Sequence, residues 1–112
     1  MIYDSSKGFT RFLKVNFSDE YVVYDFFDFK HFKDIPFEEH EANFFIINEL
    51  SELVDLMQVY SKKTSLFVGT RLPDISKNLL NIDNITIIDL TRSRQDIISF
   101  IRLYIKILAA AE

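Results

Sequence analysis

Four large apolar residues in a row, Phe44-Phe45-Ile46-Ile47, run directly into Asn48. A strand with one wet face would alternate apolar and polar residues. An unbroken run instead predicts a strand covered on both faces, as in a parallel sheet sandwiched between helices. In open sheets of that kind, ligands and chemistry gather just beyond the carboxyl ends of the strands. The residue this chain offers there is a neutral amide. An amide cannot become an acyl phosphate, and it is a weaker ligand for a divalent cation than a carboxylate.

Only two Gly and two Pro punctuate the chain, so periodicity carries the rest of the reading. Met1 to Tyr3 reads as a first strand ending at Asp4, with Ser5 or Ser6 as helix N-cap. Phe9, Phe12, Leu13 and Phe17 then recur on one helical face. Tyr21-Val22-Val23-Tyr24 is β-branched and aromatic and predicts a second strand. Residues 26–42 show no clear period, but Pro36 followed by Glu38, Glu39 and Glu41 predicts a short exposed helix. After the third strand, Leu50, Leu53, Val54, Met57 and Tyr60 make an apolar helical face, with Lys62 and Lys63 suiting its C-terminal end. Leu66-Phe67-Val68 is a fourth strand ending at Gly69-Thr70; Pro73 opens a helix carrying Ile75, Leu79 and Leu80. Ile85-Thr86-Ile87-Ile88 is a fifth strand, and a last helix runs from about Ser93 to Leu108.

Strand and helix thus alternate five times over 112 residues, a length suited to one domain. Short right-handed crossovers then predict a flavodoxin-like, three-layer α/β/α sandwich. Its five-stranded parallel sheet has the order 2-1-3-4-5. The domain occupies 1–108, and Ala109-Ala110-Ala111-Glu112 reads as a bland tail.

Composition excludes several classes. A net charge of −4 argues against direct nucleic-acid contact, and Arg71, Arg92, Arg94 and Arg102 are scattered rather than clustered. With no Cys there is no disulfide framework and no thiolate nucleophile. The apolar runs are too short to span a bilayer, and the start of the chain does not resemble a signal peptide, so the expected setting is the cytoplasm, off the membrane. There is no Gly-rich phosphate loop and no nucleophile elbow, which argues against an enzyme and against flavin or nucleotide as cofactor. His31 and His40 stand nine residues apart in the least regular segment and read as solvated surface, so no metal is expected.

With these elements in place, the chain resembles the receiver domains of two-component response regulators, over nearly its whole length. Receivers end their first strand in two acidic residues that hold Mg²⁺; the matching pair here is Asp4-Ser5, one acid kept and one lost. Asn48 falls at the position of their phospho-accepting aspartate, and Thr70 matches their Thr or Ser after the fourth strand. Their Lys at the end of the fifth strand has no counterpart in Ile88-Asp89-Leu90-Thr91. Phosphoryl transfer to a carboxylate needs the nucleophilic oxygen, a cation on the phosphoryl oxygens, and a fixed positive group. Asn48 removes the first, Ser5 weakens the second, and Asp89 places negative charge where the third belongs. The resemblance therefore implies a pseudo-receiver, a signalling module that works by protein contact without aspartyl phosphorylation. Asp4, Ser5, Asn48, Thr70 and Asp89 would mark its vestigial pocket. Asp4 has a second reading as the cap of the first helix, and Asn48 as a side chain bonding across the pocket.

The last helix suggests where contact occurs. Its apolar residues from Ile97 to Leu108 cover about half the circumference, leaving Ser99, Arg102 and Lys106 as the polar strip. A helix covering one sheet face needs a narrower stripe. The excess predicts a protein partner or a homodimer through this helix, with Ile98, Ile101, Tyr104 and Ile105 near the surface concerned. In receivers the fourth helix, fifth strand and fifth helix commonly mediate dimerisation. Two rivals remain: a receiver that uses Asp25, Asp28 or Asp55 as acceptor, and a small ligand-binding flavodoxin-like domain. Tyr24, Phe26, Phe27, Phe29, Phe32 and Phe37 are pocket candidates for the latter, or else aromatic core.

Overall fold

The computed structural model describes residues 1–61 and 64–110. Lys62, Lys63, Ala111 and Glu112 lie outside the described residues, and with them the expected role of the two lysines at a helix end. The strands are β1 (Ile2–Tyr3), β2 (Asp25–Phe26), β3 (Phe44–Ile47), β4 (Leu66–Thr70) and β5 (Ile85–Asp89). The helices are α1 (Gly8–Phe17), α2 (Phe29–Phe32), α3 (Glu52–Val59), α4 (Pro73–Leu79) and α5 (Arg94–Ala110), with a 3₁₀ turn at Phe37–Glu39. All strand pairs are parallel and the order is β2-β1-β3-β4-β5. This is the flavodoxin-like architecture.

Period-two alternation within the buried strands feeds two cores. Tyr3, Phe45, Ile47, Leu66 and Val68 face α2, α3 and α4. Ile2, Phe44, Ile46, Phe67 and Ile88 face α1 and α5. Phe44-Phe45-Ile46-Ile47 is buried at all four positions, as a central parallel strand requires. Aromatic contacts tie the first core together: Phe32, fully buried, touches the rings of Tyr3, Phe26, Phe37 and Phe45. Of the aromatic pocket candidates, Phe26, Phe29, Phe32 and Phe37 therefore belong to core, while Tyr24 and Phe27 are exposed.

Three local expectations are corrected. The second strand is Asp25–Phe26, not Tyr21–Tyr24. β1 is two residues long and pairs Ile2 with Asp25 and Tyr3 with Phe26, with Ile2 N–H donating to the Tyr24 carbonyl, so the ladder begins at the last residue of the β-branched run. Tyr21 and Val23 pack against the α1/α5 core while Val22 points to solvent. Secondly, α3 is rotated from its expected face. Leu56 and Glu52 are buried, Leu53 and Val59 pack on the core, and Leu50, Val54 and Met57 are exposed. The apolar residues of α3 are too widely spread to fix its rotation, and the buried Glu52 fixes it instead, through the bonds described below. Thirdly, the N-cap of α1 is Lys7, in left-handed backbone with φ 65°, and neither Ser5 nor Ser6.

Candidate functional site

The carboxyl ends of β1 and β3 bring Asp4 and Asn48 together, and the two interact directly. Asn48 Nδ2 donates to Asp4 Oδ1 at 2.9 Å and to Ser5 Oγ at 3.2 Å. Asp4 is fully buried. Its Oδ2 accepts the backbone N–H groups of Phe9 at 2.8 Å and Thr10 at 3.2 Å, both in the first turn of α1. Oδ1 also accepts from the backbone and hydroxyl of Ser6. The left-handed turn at Lys7 swings the start of α1 over this carboxylate, so the chain satisfies helix N–H groups with an acid placed upstream of the usual cap position. Asp4 is thus a helix cap, and Asn48 bonds across the pocket.

The residue that sequence reasoning missed is Glu52. It is buried in the first turn of α3 and accepts from the backbone N–H groups of Asn48 at 2.8 Å and Glu49 at 3.0 Å. Ser5 Oγ donates to its other oxygen at 2.8 Å, and the Tyr3 hydroxyl approaches it at 3.4 Å. The clue was present in the sequence: an acid four residues beyond Asn48, entering a helix, is placed to close the intervening loop. Two carboxylates, each fully engaged by N–H and O–H donors, therefore hold the loops after β1 and β3. Side chains from the two loops thus bond to one another across this end of the sheet.

Thr70 and Asp89 do not join this network. β3 and β4 pair Ile47 with Thr70, and the buried Thr70 hydroxyl donates to the Ile47 carbonyl at 2.9 Å while accepting from Leu72 N–H. It serves as a strand-end tie. Asp89 is exposed and turned onto Thr91, taking its backbone N–H at 2.9 Å and its hydroxyl at 2.6 Å, with Arg92 4.0 Å away. These bonds hold its carboxyl below the usual range. The alternative acceptors also lie elsewhere: Asp25 pairs with Lys14 on the edge strand, and Asp28 caps α2 through Lys30 N–H. Asp55 stands in α3. Among the described residues, no group of three or more His, Asp or Glu could hold a metal ion.

Burial, reinforced by the negative charge of Glu52, pushes the Tyr3 phenol up to about 12. Deprotonating it would put a second anion against Glu52. The folded chain therefore keeps this proton through a window in which the unfolded chain, at about 10, loses it. The stabilisation is complete below pH 10 and lost as pH rises through 12. In an ultraviolet titration, one of the five tyrosines should ionise only as the fold gives way, and Tyr3→Phe should remove that late step.

On α5, Ile101 is 0% exposed and belongs to the core, so among the four residues named for this helix it is one that faces inward. Its side chain meets the sheet because it shares a face with Ile97. Ile98, Tyr104 and Ile105 are partly buried against the same core. Leu103 and Ile107, at 56% and 50% exposure, carry the outward apolar surface instead. Leu103 and Phe100 face Leu80 and Ile87 across a groove between α4 and α5 that runs along β5, an edge strand. No helix among the described residues is long and apolar enough to cross a membrane. Comparison with protein-family models, with curated proteins and with solved structures found no match to this chain.

Proposed function

We propose that the protein is a non-catalytic signalling module, a pseudo-receiver that acts by protein–protein contact without aspartyl phosphorylation. One observation carries the reading: at the carboxyl end of β3 an amide, not a carboxylate, points at Asp4 and is bonded to it. A phosphoryl group meets no carboxylate at that position, and the amide there is already bonded to Asp4 and Ser5. The acid that would bind a cation is already used as a helix cap, with its oxygens taken by five donors. Thr70, the switch hydroxyl of the resemblance, is bonded within the sheet.

The contact surface of this reading is the α4–β5–α5 groove. Exposed Leu80 and Leu103 border it, together with Arg71, Lys77 and Arg92 and with Asp89 and Asp96. A patch with apolar centre and both charge signs at its border can complement its own copy about a two-fold axis. The open edge of β5 lies beside it. Such a module would sit in the cytoplasm, with no cofactor of its own.

The test combines intact mass with hydrodynamics. After incubation with Mg²⁺ and a small phosphodonor, measured promptly at neutral pH, the mass should be unchanged while a control receiver labels. Light scattering should give a dimer that Leu103→Glu dissociates. A stoichiometric phosphoryl adduct would sink the reading, and a strict monomer at high concentration would remove self-association from it.

A further inference from the structure

A second concave site lies at the opposite end of the sheet, against the amino ends of β1 and β3. It is a cavity of about 390 Å³, within the range of small-molecule pockets. It shares no residue with the Asp4–Asn48–Glu52 network. Its floor is core: Ile2, Leu13, Phe17, Phe44 and Ile101 are all at most 6% exposed. The floor is therefore apolar, partly aromatic, and fixed by packing that the fold needs anyway.

The mouth is different in kind. Glu20, Glu39 and Glu41 stand around it with His40, Tyr21 and Tyr24. Glu20 is neutralised by Arg102, which also lies over the Phe17 ring at 4.9 Å. Glu39 and Glu41 are exposed and, among the described residues, have no ion-pair partner. The nearby bases do not offset them at neutral pH. The Met1 ammonium donates to the Ala42 carbonyl, and burial pulls its pKa down to about 6. Burial is also the main cause that lowers His40, whose ring meets Tyr24 edge-on at 5.2 Å. An apolar floor beneath a rim of two uncompensated carboxylates and two tyrosine rings repels anions. It suits a positive charge that approaches along with a greasy body.

We propose that this cavity binds a small amphipathic cation, an aromatic or branched apolar body carrying an ammonium head. The body lies on Phe17, Phe44 and Ile105, and the head stays at the rim between Glu39 and Glu41. This site is independent of the signalling reading above and stands whether or not the chain accepts phosphate.

The experiment uses two probes with one body and opposite charge, 4-phenylbutylamine and 4-phenylbutyrate, titrated into the isotopically labelled full chain and followed by amide NMR. The amine should give saturable shifts at Val23, Tyr24, His40, Ala42 and Ile105, and should bind at least about tenfold more tightly than the acid. Glu39→Gln with Glu41→Gln should bring the amine down to the level of the acid, with amide dispersion unchanged. Ala42→Phe, which fills the cavity, should weaken both. Equal binding of the two probes, shifts confined to another surface, or no saturable shift at millimolar amine would each overturn the proposal.

Discussion

Asp4→Ala should cost the protein roughly 3–5 kcal/mol, a large share of the stability of a domain this size. The change removes the acceptor of two backbone N–H groups in the first turn of α1, of both Ser6 donors, and of the Asn48 amide. Thr10 is buried, so its N–H cannot turn to water in compensation. Loss of a helix cap alone typically costs about 1 kcal/mol; here the same carboxylate also holds the loop after β3. Asp4→Asn separates these roles. It keeps the shape but presents one oxygen where two are used, and its amide faces N–H donors, so about half the loss should remain. Urea denaturation followed by circular dichroism measures both variants. A loss below about 1 kcal/mol for Asp4→Ala would mean that the network does not hold this end of the sheet.

The capping role of Asp4 was among the readings the sequence offered; that the same carboxylate also takes the Asn48 amide was not settled there. Asp4 follows a strand and precedes a helix, so both cap and cation ligand were open; geometry decides for the cap because Lys7 turns left-handed and aims Phe9 and Thr10 N–H at it. Sheet order was legible because each buried strand is a short apolar run, with β3 the clearest case. β2 was misplaced because pairing with a two-residue β1 is set by where the loop delivers the chain, and β-propensity does not encode that. The rotation of α3 was hidden for a related reason. Five apolar residues suggested one face, yet Leu50 falls before the helix begins, and Val54 and Met57 lie outward while Glu52 reaches the Asn48 and Glu49 N–H groups. On α5 the apolar arc was visible, but only packing separates Ile97 and Ile101 in the core from Leu103 and Ile107 outside. Patterns report how much apolar surface a helix carries; polar bonds at its ends settle which part of it turns inward.

Asn48→Asp, the change that restores a carboxylate at the end of β3, should destabilise the protein at neutral pH by roughly 2–4 kcal/mol. The amide now donates to Asp4 Oδ1 at 2.9 Å. A carboxylate in its place loses that bond and sets an oxygen anion against another, repulsive even after screening at an exposed position. The sign with pH follows. Below about pH 4, the ordinary carboxyl value, the new group is protonated in folded and unfolded chains alike, and a neutral carboxyl can still donate to Asp4. At higher pH the unfolded chain releases this proton freely and the folded chain resists. The folded state then binds more protons, and the variant loses stability relative to its parent as pH rises. Denaturant midpoints for both proteins between pH 4 and 8 should therefore diverge toward neutral. Parallel curves, or a variant more stable at pH 7, would mean that residue 48 does not hold the pocket closed. An amide here is favourable only if no phosphoryl group has to be accepted, because the acceptor carboxylate and the buried cap at Asp4 compete for the same few ångströms.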